Sequence, residues 1–132
     1  VAQFKKSMIS AGIVSAALMF GAGMAVAAEG GDAAEGEFVF GDQCEICHSA
    51  EQGGAHKIGP NLFGIVGKTS GMTEGYTYSP AMMGAGIEWT PENLATFLAG
   101  PAAMVPGTKM GFPGFQDPAD EANLIAYLET LQ

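Results

Sequence analysis

Apolar positions along this chain form one continuous run and three short periodic stripes. The run covers residues 8–24 and has no helical or strand period. Val39 and Phe40 form the first stripe, within residues 36–43, which read as a helix leading into a polar, cysteine-containing stretch. Leu94, Phe97 and Leu98 recur at i, i+3 and i+4, one helical face. Thr90-Pro91 opens that helix as N-cap and N1 residues, and Gly100-Pro101 ends it. Leu124, Ile125, Leu128 and Leu131 give the buried face of a last helix. Asp117-Pro118 starts it, and Asp120 and Glu121 complement its N-terminal dipole. Ser79-Pro80 resembles a further helix start, with little length before Gly84 and Gly86. Residues 49–69 and 104–115 read as loops, rich in glycine and proline. The predicted fold is all-α, with N- and C-terminal helices and one or two short middle helices. Loops this long are uncommon in a compact domain, and a central group for them to wrap explains them.

Composition sharpens this picture at the N-terminus. Lys5 and Lys6 precede the apolar run, and Ala25-Val26-Ala27 gives an A-x-A exit. Residues 1–27 therefore read as a secretory signal cleaved before Ala28. The competing reading is an uncleaved anchor, since residues 8–28 are just long enough to span a bilayer. Its many glycines and alanines weigh against that. Residues 28–35 are acidic and small and read as a disordered leader, and residues 36–132 form one domain. On either reading the domain is exported, into the periplasm or anchored to the inner membrane and facing it.

Charge restricts the partners. The chain has no arginine, and from Glu29 onward three lysines face 14 carboxylates, a formal balance of −11. Nucleic-acid affinity rests on phosphate neutralisation by Lys and Arg, so nucleic acid is excluded as a partner. Anionic lipid would repel the same surface. Membrane association then depends on the N-terminal segment remaining uncleaved.

The chemistry concentrates in Cys44-Glu45-Ile46-Cys47-His48. This is C-x-x-C-H, the attachment pattern of c-type haem. Two thiols about one helical turn apart can each add across one haem vinyl group, and the histidine supplies an axial nitrogen. Three other readings compete. A thioredoxin-like dithiol needs a βαβ setting, which the chain lacks. A zinc site using Cys44, Cys47, His48 and His56 would crowd adjacent Cys47 and His48 onto one tetrahedral centre. A Cys44–Cys47 disulfide would close a strained loop.

A second axial ligand is less clear from residue types alone. His56 lies only eight residues after His48, too few to wrap easily to an opposite face, and reads as an exposed loop histidine. Met72, Met82, Met83, Met104 and Met110 all remain, and methionine is more often core filler. Met110 stands out because Pro106-Gly107-Thr108-Lys109-Met110 is a backbone-restrained loop.

These motifs together resemble the class I c-type cytochromes, the family of mitochondrial cytochrome c and its bacterial homologues. The resemblance runs without a gap over residues 36–132. It is carried by the C-x-x-C-H motif, Gly59-Pro60-Asn61-Leu62 with Gly64, Gly75-Tyr76-Thr77-Tyr78 and Gly86-Ile87-Glu88-Trp89. Pro106-Gly107-Thr108-Lys109-Met110 and Leu124-Ile125-Ala126-Tyr127-Leu128 complete it. The resemblance implies a cytochrome c fold, with terminal helices crossing and loops wrapped around one covalent haem c bound through Cys44 and Cys47. It further implies Met110 as second ligand to the iron beside His48, with the Pro60 carbonyl accepting from His48. Tyr78, Trp89 and Lys68 would surround the propionates, Thr108 would belong to the haem-contacting loop, and Phe112 would lie near the exposed haem edge. Gly36 and Phe40 would pack against Leu124 and Tyr127.

The implied function is one-electron transfer rather than catalysis, by a monomer in a respiratory or photosynthetic chain. Donors of this class are quinol-oxidising complexes or dehydrogenases, and acceptors are oxidases, photosynthetic centres or reductases. The alternative is a haem peroxidase or small-ligand sensor with a labile methionine. Two departures from the family pattern bear on this. Phe97 stands where a tyrosine is usual, so no hydroxyl reaches the ligand sulfur. Of the usual ring of lysines only Lys57 and Lys109 clearly remain, which argues against docking through a strongly positive face.

Overall fold

Asp32 starts the first helix. Its carboxylate accepts from the backbone N–H groups of Ala34 (2.8 Å) and Glu35 (3.2 Å), satisfying donors that a helix start leaves unpaired. In the computed structural model, which describes residues 30–132, α1 accordingly runs Ala33–Val39. The helix thus begins three residues earlier than the sequence pattern suggests. The expected disordered leader is corrected at its end, because Asp32 caps what was read as loose chain. The expected secretory signal lies outside the described residues.

A π-helical turn, Phe40–Cys44, continues α1 directly into the cysteine motif. Its defining bond runs from the Glu45 N–H to the Phe40 carbonyl, at 2.9 Å. Cys47 and His48 then both donate to the Cys44 carbonyl, at 3.0 and 2.9 Å. Four more helices follow: α2, Pro80–Gly84; α3, Pro91–Ala99; α4, Pro101–Met104; and α5, Pro118–Thr130. Ser79, Thr90 and Asp117 each accept from an N–H of the first turn they precede, and each is followed by proline at N1. The single turn of α4 was not anticipated: Pro101 restarts a helix at the point where it was expected only to end one. Among the described residues, strand pairing is limited to one isolated antiparallel bridge, Thr69 to Glu88.

The terminal helices cross at Gly36. A Cβ placed there would lie 1.9 Å from the Asn123 carbonyl oxygen and 2.8 Å from Tyr127 Cβ, so only glycine permits this approach. Two contacts reinforce the crossing. The Asp32 N–H donates to Asn123 Oδ1 at 2.8 Å, and the rings of Phe40 and Tyr127 lie 5.6 Å apart. Beneath it Leu124 and Leu128 are buried, with Leu94, Phe97 and Leu98 of α3 in the same core. The fold is the all-α arrangement expected, and among the described residues no helix is long and apolar enough to cross a membrane.

Gly36→Ala forces a methyl against backbone rather than a movable side chain. It should lower stability by about 1–3 kcal/mol, read as a lower guanidinium midpoint of the haem-loaded protein. Gly41→Ala, whose nearest neighbour is Glu45 Oε2 at 3.9 Å, should stay within about 0.5 kcal/mol.

Candidate haem site

The core side chains of α3 and α5 wall one side of a cavity of about 630 Å³. Both motif cysteines, His48 and Met110 line it together. Cys44 and Cys47 reach it from the turn that the π-helical segment delivers, and no disulfide joins them. Burial pushes the Cys44 thiol up to about 11, and the neighbouring Cys47 adds to the rise. That thiol is therefore protonated at neutral pH, as an apolar wall requires.

His48 is held from two sides. Its Nδ1–H donates to the Pro60 carbonyl at 2.7 Å. Gly59 lies against the ring: a Cβ there would sit 2.3 Å from His48 Cε1. The Gly59 N–H in turn donates to the Cys47 carbonyl at 2.7 Å, closing the loop onto the motif. Burial lowers the His48 pKa below the usual imidazole range; the Pro60 carbonyl opposes this and the Lys57 charge adds to it. The neutral ring with its proton on Nδ1 leaves Nε2 with a free lone pair, the form a metal needs.

Loop 49–62 wraps this arrangement around Asn61. Its Nδ2 donates to Ser49 Oγ (2.8 Å) and to the Glu51 carbonyl (2.9 Å), and its Oδ1 accepts from the Phe63 N–H (2.7 Å). His56 completes the loop, and here the expectation of an exposed loop histidine is corrected. The ring is half-buried; Nδ1 accepts from the Asn61 N–H and Nε2 donates to the Glu74 carbonyl, both at 2.9 Å. Both nitrogens are spent on backbone, so His56 has none to give a metal. No group of three or more His, Cys, Asp or Glu comes together among the described residues, which also disfavours the zinc reading.

Most of the remaining sequence-derived candidates line the cavity: Pro60, Tyr78, Trp89, Thr108 and Phe112. Trp89 is positioned by the bridge, donating its N–H to the Lys68 carbonyl at 2.8 Å. Thr108 Oγ1 accepts from the Met110 N–H at 3.3 Å and so restrains the loop carrying the thioether. Lys68 is the exception. Only its backbone serves the site; its side chain is exposed, turned toward Gly64 and outside the cavity lining.

Other wall residues were not recognisable as such. Leu94, Phe97, Leu98, Leu124 and Leu128 showed a buried face, but periodicity does not say what that face meets. Met82, 7% exposed, was read as filler on a short helix and also lines the cavity. The wall thus combines two thiols, an imidazole with a fixed tautomer, a thioether and a broad apolar lining. This set fits a haem: two covalent anchors, two axial donors of the kinds iron accepts, and apolar contact for a macrocycle.

The family model described as Cytochrome c matches residues 33–132. The chain is similar to cytochrome c2 of Rhodopila globiformis, 48% identical over 102 residues, covering 77% of this chain and 95% of the relative. It is also similar to cytochrome c of Gossypium barbadense, 46% identical over 99 residues and covering 75% and 89% respectively. With cytochrome c of Trypanosoma brucei brucei the identity is 52% over 84 residues, covering 64% and 90%.

His56→Ala removes two hydrogen bonds that tie the loops together and should cost about 2 kcal/mol. The Asn61 amide should then exchange with solvent much faster than in the parent; unchanged protection would remove His56 from this role.

Proposed function

The chain belongs to the cytochrome c family: it is a haem electron carrier, not an enzyme, with haem c attached through Cys44 and Cys47. On that premise we propose that His48 and Met110 are its two axial ligands. The observation that carries this reading is the convergence of His48, Met110 and both thiols on one apolar cavity. When bound, the haem supplies the one-electron ferric/ferrous couple.

The protein's part is to hold, orient and exclude. The Pro60 carbonyl fixes the His48 ring and increases its electron donation to a metal. Thr108 restrains the 106–110 loop beside Met110. Lys109 ties the same loop to the opposite segment: its ammonium donates to the Thr77 carbonyl and lies 4.9 Å from the centre of the Tyr76 ring. Tyr78 and Trp89 line the cavity, and their O–H and N–H would be the donors for haem propionates. Lys68, turned outward, takes no part in this reading.

Filling both axial positions keeps water and peroxide from the metal, which favours outer-sphere transfer. His/Met ligation raises the potential relative to two histidines, and places the carrier toward the oxidising end of a chain. Its donors are then quinol-oxidising complexes or dehydrogenases, and its acceptors oxidases, photosynthetic centres or reductases. The basic start, apolar run and Ala25-Val26-Ala27 exit support delivery to the periplasm, where the carrier acts as a monomer.

Met110→Ala should abolish the weak near-infrared band of ferric iron bound to thioether sulfur while leaving the covalent haem bands. If the parent lacks that band, Met110 is not the ligand. Phe97, whose ring lies 4.9 Å from Trp89, offers the sulfur no hydrogen bond. Phe97→Tyr adds a donor that withdraws charge from the sulfur and favours ferrous iron. One such bond, about 1 kcal/mol, should raise the midpoint potential by roughly 40 mV. A potentiometric titration showing no rise would count against a hydroxyl at position 97 reaching the ligand.

A further inference from the structure

Five methionines lie among the described residues, and they divide by exposure. Met82 is 7% exposed and lines the cavity, and Met104 and Met110 are half-buried. Met72 and Met83 differ. They are 70% and 56% exposed, and neither lines the cavity. Little of their apolar surface is removed from water, so packing draws little from them.

The fold brings these two to one place. Gly71, at a φ of +73°, lies directly on the Met83 backbone: a Cβ there would sit 2.7 Å from Met83 Cα. Met72 is the next residue, so both thioethers project where this turn meets α2. The same short helix touches the loop of Met110, since a Cβ on Gly107 would lie 3.2 Å from Ala81 Cβ. Thus α2 carries one thioether inward at Met82 and one outward at Met83, beside the loop that holds the proposed ligand.

Exposure makes a thioether both reactive and expendable. Oxidation to sulfoxide follows solvent access and turns an apolar side chain polar. At a buried position that change disrupts packing; at Met72 or Met83 it meets water. At Met110 it would replace the thioether donor itself.

We propose that Met72 and Met83 form a sacrificial oxidation site, which consumes hypochlorous acid and similar oxygen-donating oxidants before Met110 is lost. In each event an S–O bond forms as the O–Cl bond breaks. Sulfur gives up two electrons, chlorine leaves with them as chloride, and the acid's proton goes to water. Methionine sulfoxide reductases return the thioether, so the site is renewable. The inference adds a modification site to the carrier, and it rests on the ligand reading for what the site protects.

The test adds two molar equivalents of hypochlorous acid, one for each exposed sulfur, to the haem-loaded ferric protein. Peptide mass spectrometry should place the added oxygens on Met72 and Met83, with the near-infrared band retained. In Met72→Leu with Met83→Leu, the same dose should remove roughly threefold more of the band. That variant should unfold at the parent's guanidinium midpoint. Phe38→Leu, a change at a 74% exposed side chain without sulfur, should follow the parent's dose response. Oxygen appearing on Met82, Met104 or Met110 ahead of the pair overturns the proposal. So does a double variant whose band resists the oxidant as well as the parent's, or one with a lowered midpoint. An untreated parent without the band would overturn the ligand reading, and the protective role with it.

Discussion

The hydrogen bond from His48 Nδ1 to the Pro60 carbonyl, 2.7 Å long, is the contact on which the site depends. It selects one tautomer of a buried neutral imidazole and leaves the other nitrogen available. Pro60 can hold that carbonyl in place only if the loop before it is fixed, and the loop has no regular structure to fix it. Side chains do so instead. Asn61 gathers Ser49, Glu51 and Phe63, and His56 pins the Asn61 N–H to the Glu74 carbonyl. Among the described residues no buried side-chain nitrogen or oxygen lacks a partner. A loop stabilised this way behaves as a rigid part, because breaking one bond strands a polar group that burial makes costly.

The other half of the site is positioned from the opposite direction. α1 runs through the π-helical turn into Cys44 without a loop between them, so the α1–α5 crossing passes its geometry directly to the thiols. Gly36 sets how closely the helices approach, and Phe40, one turn later, packs on Tyr127. The π-turn adds one residue to the hydrogen-bonded ring and so rotates the motif relative to an ordinary helix. Such turns occur preferentially where a functional group must be aimed. The two thiols are therefore tied to helix packing and the imidazole to loop bonding, and Cys47-His48 is where the two systems join.

The sequence made these arrangements legible to different degrees, for physical reasons. Helix starts were readable because Ser79, Thr90 and Asp117 each carry a capping side chain followed by proline, a purely local device. Asp32 caps as well, but no proline follows it and its surroundings are small and acidic, so α1 was expected to begin later than it does. The covalent site was readable because C-x-x-C-H is contiguous. Cavity walls were not: the stripe of Leu94, Phe97 and Leu98 shows burial but not what is buried against it. His56 was misread for a related reason. A residue type suggests what a side chain can do, whereas backbone bonds elsewhere decide which way it points. Two backbone partners convert His56 from a surface residue into a strut.

Charge is handled on two length scales that pull apart. Over the described residues three lysines face a large excess of carboxylates, so from a distance the protein is an anion. Near the cavity mouth the pattern differs, because Lys57 and Lys109 are there and are both engaged with backbone carbonyls. The long-range field decides who approaches, since it acts over about a Debye length and weakens with salt. The contact surface decides who stays, and it acts only once water is expelled. A carrier must release its partner after each transfer, so neither term can be large. Lysines held on their own carbonyls serve that need: they contribute to the rigidity of their own loops, and they limit the strength of any ion pair that would hold the encounter too long.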